Sequence, residues 1–174
     1  MQLIRQLKEA GSKISVGMEF LEYPFQAAVD SFREGKILEI DFLQQVKWGS
    51  FPFDLYRRQI LFPDVTVERT LALNAPRWLS SKVAKLGLDS LSKEELAYFP
   101  PKFELGRGAY RKRFEKIMGG HVPADSMDKY FAAQSLWDDT MAWRAAEFLQ
   151  AQPEQILVIV VGEFHTQYGG GFPD

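Results

Sequence analysis

Six aliphatic residues in a row, Ile156 to Val161, constrain the fold of this chain more than any other feature. Pro153 ends the helical pattern before the run, and Gly162 follows it directly. A run of this length between such residues is typical of a β-strand, because helices need about ten residues or more. Its odd and even positions are equally apolar, so we expect a strand buried on both faces, as in a parallel sheet.

Two more strands are predicted earlier in the chain, at Ile14 to Phe20 and at Thr70 to Leu73. Segments with helical spacing separate the three strands, so helix and strand alternate. This order is typical of an α/β fold, with a mainly parallel sheet flanked by helices and with right-handed crossovers. We predict one domain over residues 1–174, with a mostly helical subdomain at about residues 88–130.

Apolar spacing and helix-ending residues predict the helices. They are expected at Leu3–Ala10, Pro24–Glu34, Ile40–Gln45, Phe53–Leu61, Trp78–Leu86, directly after Ser92, and over the long segment Ser126–Gln150. Ser92 and Glu95 have the spacing of a capping box, which starts a helix.

Two polar residues of the long segment, Gln134 and Asp138, fall inside its apolar stripe. A carboxylate on the buried side of a helix is costly unless it is paired. The partners that we consider are His165, Arg77 or a metal ion. The alternative is that Asp138 lies at the margin of the helix and caps a neighbouring loop.

Charge and composition exclude several classes of protein. Lys and Arg number 21 and Asp and Glu number 23, so a net charge of −2 provides no field for nucleic acid or an anionic membrane. A chain without cysteine has no disulfide or thiolate metal site. No apolar stretch is long enough for a transmembrane helix, and the first residues lack the apolar core of a signal peptide. The basic residues from Arg107 to Lys116 are expected to form a solvated helix face, and the alternative is a site that binds an anion.

Polar residues follow each predicted strand at its carboxyl end, where parallel sheets bind ligands. If the strands are neighbours, these side chains converge on one crevice. The predicted crevice residues are Glu19, Asn74, Arg77, Gln134, Asp138 and His165. Each also has a structural interpretation: Glu19 as a helix cap, for example, and Asn74 as a turn residue before proline.

Glu163 and His165 are two residues apart, so on an extended backbone they share one face. That spacing suits a metal ion, although two residues do not complete a metal site. The other histidine, His121, lies in a loop after Gly119 and Gly120. It is interpreted either as a solvated loop residue or as a ligand, because neutral imidazole binds metals and haem iron.

Several segments together resemble the ChaN-like family of bacterial haem-binding, iron-regulated proteins, which belongs to a wider superfamily with the Tiki/TraB proteins and the erythromycin esterases. These segments are Gly17–Phe20, Leu73–Arg77, Lys82–Leu88, Ala133–Ala142, Val161–His165 and Gly169–Pro173. They occur in order and span nearly the whole chain.

The resemblance implies an α/β sheet domain with a helical subdomain, and haem bound between the two protomers of a homodimer. It implies tyrosine and histidine as contacting side chains, which fall here on His121, Tyr130 and Tyr110. The family's polar motifs fall on the crevice residues Glu19, Asn74, Gln134, Asp138 and His165.

The chain departs from this family at both ends. Members usually begin with a strand that ends in a Gly-Glu-x-His-like motif, and they continue beyond the glycine-rich stretch into another strand. Many carry a leader with a lipid-attachment cysteine, as periplasmic or membrane-anchored lipoproteins. We therefore expect a truncated domain or an unusually short member of the family. The alternative is that Gly162 to His165 stands in for the N-terminal motif.

Three functions follow from these observations. The first, by resemblance, is a haem-binding protein of bacterial iron or haem acquisition or storage. The second is a metal-dependent hydrolase with Glu19 or Glu163 as general base, His165 as metal ligand or acid/base, and Asp138 as the orienting carboxylate. The third is a non-catalytic interaction domain, because an exposed sheet edge favours pairing with another chain.

Overall fold

The computed structural model describes residues 1–167 and 171–172. The chain forms two compact units. The sheet unit comprises Met1–Asn74 and Arg144–Val161, and the helical unit comprises Ala75–Trp143 and the described part of Gly162–Asp174.

Three parallel strands form the sheet in the described part of the chain: β1 (Lys13–Glu22), β2 (Thr70–Asn74) and β3 (Gln155–Val160). Their order is β2-β1-β3, so β1 lies in the middle. The α/β class and the parallel sheet predicted from the sequence are thereby confirmed. The sequence pattern located all three strands, because their apolar runs are bounded by polar or helix-breaking residues.

Gly17 lies at the centre of β1, where both neighbouring strands approach closely. A Cβ atom at this position would lie 2.6 Å from Leu73 Cδ1 and 3.3 Å from Ile159 Cγ1. Glycine therefore makes room for one side chain from β2 and one from β3.

The sheet unit also contains the helices α1 (Gln2–Glu9), α2 (Gln26–Arg33), α3 (Glu39–Gln45) and α4 (Asp54–Leu61). Its core includes Ile4, Ile14, Val16, Met18, Leu21, Val29, Phe42 and Ile60. The predicted helix from Pro24 begins two residues later than expected, because the residues Tyr23–Phe25 form a 3-10 turn first.

The predicted burial of the last strand on both faces is wrong. Ile156 is 40% exposed, and the residues from Leu157 to Val160 are only half-buried. The reason is the position of β3, which has β1 on one side and no further strand among the described residues on the other. An apolar run indicates that both faces of a strand can be buried, but it does not show whether neighbouring elements cover them.

The helical unit contains α5 (Arg77–Leu86), α6 (Lys93–Leu96), α7 (Gly108–Met118) and the first part of α8 (Met127–Ala151). The capping box that starts α6 is confirmed: Ser92 Oγ accepts from Glu95 N at 3.3 Å, and Ser92 N donates to Glu95 Oε2 at 2.8 Å. Two apolar clusters form its core, one around Leu79, Val83, Phe99 and Leu136 and one of Tyr110, Phe114 and Phe131.

None of the helices in residues 1–167 combines the length and the hydropathy that crossing a membrane requires.

Candidate functional site

A buried cluster of hydrogen-bonded polar side chains lies in the helical unit. α8 contributes Gln134 and Asp138, which are one helical turn apart, and α7 contributes Tyr110. His165 comes from a 3-10 turn, Glu163–His165. The four side chains belong to residues that are between 3% and 8% exposed.

The Asp138 carboxylate is the centre of this cluster, because each of its oxygens accepts a hydrogen bond. Tyr110 Oη donates to Oδ2 at 2.7 Å, and His165 Nδ1 lies 2.5 Å from Oδ1. The side-chain nitrogen of Gln134 lies 3.1 Å from the same imidazole nitrogen. The sequence-based expectation that Asp138 needs a buried partner is confirmed, and His165 is that partner.

The carboxylate also determines the chemistry of the imidazole. A carboxylate accepts hydrogen bonds, so His165 donates through Nδ1, and in the neutral ring Nε2 carries the lone pair. Histidines that act as bases or metal ligands are oriented by the same kind of contact.

Tyr110 is held in its neutral form. Burial, and then the negative charge of Asp138, raise the pKa of Tyr110 far above its ordinary value of 10.0. The phenol therefore donates a hydrogen bond, and formation of a tyrosinate at this position is strongly opposed.

Aromatic rings and one arginine hold the turn that carries His165. The ring of Phe164 lies 5.9 Å from that of Tyr110. The Arg113 guanidinium lies over both rings, at 5.0 and 5.1 Å, and donates to the Phe164 carbonyl oxygen at 2.8 Å. The prediction that the basic residues of this segment form only a solvated face is thus wrong for Arg113, because cation–π contacts hold it against the rings.

Gly171 packs closely against His165 and Tyr110 of this cluster. Its φ is +80°, and a Cβ atom there would lie 2.8 Å from the His165 carbonyl oxygen and 3.1 Å from Tyr110 Cζ. The next residue, Phe172, donates its backbone N–H to the same carbonyl oxygen at 2.9 Å. Gly169, Gly170 and Pro173, which carry part of the family resemblance, lie outside the described residues.

A cleft of about 140 Å³ borders this cluster. Tyr110, Asp138 and Gly171 form part of its wall, together with Arg107 and Asp139. Burial raises the pKa of Asp139, and the carboxylate accepts a hydrogen bond from the backbone N–H of Glu104 at 3.1 Å.

The remaining predicted residues belong partly to the helical unit and partly to the sheet unit. His121 is exposed in the loop after α7, and Tyr130, which is 37% exposed, lies in the first turns of α8. Arg77 is exposed in the first turn of α5. In the sheet unit, Asn74 Nδ2 donates to the Glu19 carbonyl oxygen at 3.0 Å, which ties the end of β2 to that of β1.

Glu163 and His165 do not share a face, contrary to the prediction from an extended backbone. They lie in a 3-10 turn, which rotates residues two apart away from each other, and Glu163 is exposed whereas His165 is buried. Among residues 1–167 and 171–172, no three His, Cys, Asp or Glu side chains gather as a metal site.

Sequence reasoning missed the residues that position the cluster, namely Arg113, Phe164 and Gly171. The four-residue spacing of Tyr110 and Phe114 was the available signal that α7 turns an aromatic face inward. Nothing in the sequence distinguished Arg113 from the basic residues beside it.

Comparison with known proteins identifies the family of the chain. A solved structure of ChaN of Campylobacter jejuni, described as showing cofacial haem binding, superposes with a TM-score of 0.66 at 17% sequence identity. The similarity covers 99% of this chain and 65% of that one, so the chain spans just under two thirds of that structure. No curated protein matches the chain. A family model described as haem-binding uptake, Tiki superfamily, ChaN matches residues 1–174, and the chain therefore belongs to this family.

Proposed function

We propose that this chain binds haem through the exposed side of its helical unit, as part of haem uptake. The observation that supports the proposal most is the match of the haem-binding uptake family over residues 1–174. The fold shared with ChaN of Campylobacter jejuni is consistent with it.

The donor set of the helical unit fits a haem iron. Phenolate and imidazole are both axial ligands of haem iron in proteins. Tyr130 and His121 are exposed and can present these groups to an external molecule. Tyr110 is poorly suited as an iron ligand, because its hydroxyl donates a hydrogen bond to Asp138 and burial raises its pKa.

The size of the cleft favours binding on the surface. Its volume of about 140 Å³ is below the roughly 300–1,000 Å³ of pockets that enclose small-molecule ligands. The helical unit instead exposes large apolar side chains that suit a porphyrin face: Trp78, Leu86, Leu96, Tyr98, Leu105 and Ile117. Lys112 and Lys116, exposed one turn apart on α7, are cations suited to the propionates.

Bound haem would supply the iron and the light-absorbing macrocycle, and the chain would supply the ligands and the apolar contact. ChaN of Campylobacter jejuni is described as binding haem cofacially. We propose the same for this chain, with two copies that bring their haem groups face to face. Haem-dependent doubling of the mass in solution would support this finer proposal, and haem-loaded monomers would contradict it.

Haem titration of single variants tests the site. We expect a shifted Soret band for the wild type. Tyr130→Phe or His121→Ala, whichever removes the iron ligand, is expected to weaken binding by about 10-fold or more, since even outer contacts of metal sites are worth this much. Tyr110→Phe is the matched control and should bind haem like the wild type. A wild type without a Soret shift would refute haem binding, and a double variant that binds normally would refute these ligands.

One observation favours a second candidate, a general acid–base hydrolase. The hydrogen-bonded pair of Asp138 and His165 lies next to the cleft that Asp138 and Tyr110 line. The space suits only a small substrate, such as a short ester. Turnover of small esters that is lost in His165→Gln would support this function, and a wild type no faster than buffer would exclude it for that class of substrate.

A further inference from the structure

A second cleft lies in the sheet unit, at the amino ends of its strands. Lys13 and Gln155, which begin β1 and β3, line it together with residues 66–71, α2 and the last turn of α8, all of which belong to the sheet unit. Its volume of about 480 Å³ falls within the roughly 300–1,000 Å³ of small-molecule sites, which the 140 Å³ cleft of the helical unit does not reach. This cleft therefore has room for an organic ligand, although the sequence predicted a crevice only at the carboxyl ends of the strands.

Two carboxamides that line this cleft are already bonded to the protein itself. The side-chain nitrogen and oxygen of Gln26 both hydrogen-bond to the backbone of β2, each at 2.8 Å. Gln155, which is 6% exposed, accepts from the Ser15 hydroxyl and donates to the Val67 carbonyl oxygen at 3.0 Å. These hydrogen bonds hold the walls of the cleft in place, so the main polar contact for a ligand must come from another side chain.

Four charged side chains line the cleft, and three of them have partners. Lys13 Nζ lies 3.5 Å from Glu154 Oε1. Asp30 stabilises the positive charge of Arg33, which follows one turn later on α2. The fourth, Arg69, is exposed, and its guanidinium makes no hydrogen bond or ion pair with residues 1–167 or 171–172. The cleft therefore has one positive charge that no contacting carboxylate compensates.

The rest of the wall is apolar. Val67 is 52% exposed, Leu71 and Phe148 are half-buried, and Ala151 is exposed. Leu71 belongs to β2 and Phe148 to α8, so aliphatic and aromatic surfaces of two elements border the same space. An aromatic ring placed here would bury apolar area and make an offset or edge contact with the phenyl ring.

We propose that this cleft binds an aromatic monocarboxylate, with its ring against Leu71 and Phe148 and its carboxylate on Arg69. The planar guanidinium presents parallel N–H donors that match both oxygens of a carboxylate, and it remains charged across the physiological pH range. One anionic group fits one uncompensated cation, whereas a second carboxylate on the ligand would meet Asp30 or Glu154. The proposal is independent of haem binding and is tested on haem-free protein, so its failure would leave haem binding untouched.

Calorimetric titration with naphthalene-2-carboxylate tests the site. We expect saturable binding to the wild type, and Arg69→Gln should weaken it by about 10-fold or more, because a hydrogen bond between two charged groups is lost. Arg58→Gln is the matched control: Arg58 is an exposed arginine of the same unit, on α4, that does not line the cleft, and this variant should bind like the wild type. A wild type without saturable binding at millimolar ligand, or equal affinities for the wild type and Arg69→Gln, overturns the proposal.

Two further measurements test the charge and the place of binding. Naphthalene-2-carboxamide keeps the rings without the charge and should bind about 10-fold more weakly than the carboxylate. Val67→Asp adds a carboxylate to the cleft and should weaken binding of the anionic probe more than that of the amide, through like-charge repulsion. In NMR spectra, the carboxylate should shift the backbone amides of Leu71 and Phe148. Equal binding of the two probes by the wild type, or shifts confined to α7 and the first turns of α8, would overturn the assignment.

Discussion

In the helical unit, one tyrosine and one histidine are buried and form what we call the buried pair. Another tyrosine and the other histidine are exposed, and we call them the exposed pair. Tyr110 and His165 are buried and share the Asp138 carboxylate. Tyr130 and His121 are exposed on the same unit. In the buried pair, the Tyr110 hydroxyl and His165 Nδ1 are both held by the Asp138 carboxylate. The exposed pair is accessible to an external ligand, which is why we assign haem to it.

The largest effect is expected when the buried pair loses its acceptor. Asp138→Ala leaves the Tyr110 hydroxyl and His165 Nδ1 buried without their acceptor, and should lower the free energy of unfolding by about 2–6 kcal/mol, about 1–3 kcal/mol for each donor. Urea denaturation measures this. Asp138→Asn keeps one acceptor oxygen and should lower the free energy of unfolding by a smaller amount.

Asp125→Ala is the matched control. Asp125 is exposed, and among the described residues it accepts a hydrogen bond only from the neighbouring Ser126 hydroxyl, at 3.2 Å. Its free energy of unfolding should stay within about 0.5 kcal/mol of the wild type. If both alanine variants lost the same amount, the cluster would contribute nothing of its own to stability.

The next effect concerns the glycine that closes the buried cluster. Gly171 and Gly120 have similar φ angles of +80° and +83°, but only Gly171 has neighbours within reach of a Cβ atom. Gly171→Ala should lower the free energy of unfolding by about 2–4 kcal/mol, from backbone strain plus the close contact with His165 and Tyr110. Gly120→Ala should lower the free energy of unfolding through backbone strain alone, by about 1–2 kcal/mol. Equal losses in thermal or urea unfolding would show that the contact is absent.

The buried half of this comparison was only partly predictable from the sequence. Periodicity placed Gln134 and Asp138 on the inner face of α8, and the cost of a buried carboxylate required a partner. The second donor, Tyr110, is 28 residues away from Asp138 in the sequence. Whether it reaches the carboxylate depends on how α7 packs, and no local sequence pattern predicts this.

The turn after β3 shows a second limit of sequence reasoning. Glu163 and His165 were expected on an extended backbone, but the strand ends at Val160 and a 3-10 turn begins at Glu163. Propensity alone does not decide between strand and turn for three residues after a glycine. The strands themselves were predictable, because each contains a run of apolar residues. The partial exposure of β3 was not, because it depends on which elements lie beside the strand and not on the strand's own sequence.

The pH dependence of stability tests the burial of the Tyr110 hydroxyl. The folded-state pKa of Tyr110 is raised above its ordinary value of 10.0, so the stability that it contributes is fully present below about pH 10 and is lost as the pH rises further. The advantage of the wild type over Tyr110→Phe should fall by about 1.4 kcal/mol per pH unit above this value. Parallel curves for the wild type and Tyr110→Phe in alkaline urea denaturation would contradict the burial of the phenol.

The smallest effect on stability is expected at the exposed pair, and it completes the comparison. Tyr130→Phe and His121→Ala should change the free energy of unfolding by no more than about 0.5 kcal/mol, because both side chains are exposed. The same two substitutions are the ones expected to weaken haem binding. Stability and haem affinity measured on one set of variants should therefore separate: the Asp138 variants lose the first and the Tyr130 and His121 variants lose the second. A Tyr130→Phe protein that unfolds more easily and binds haem normally would reverse the roles of the two pairs.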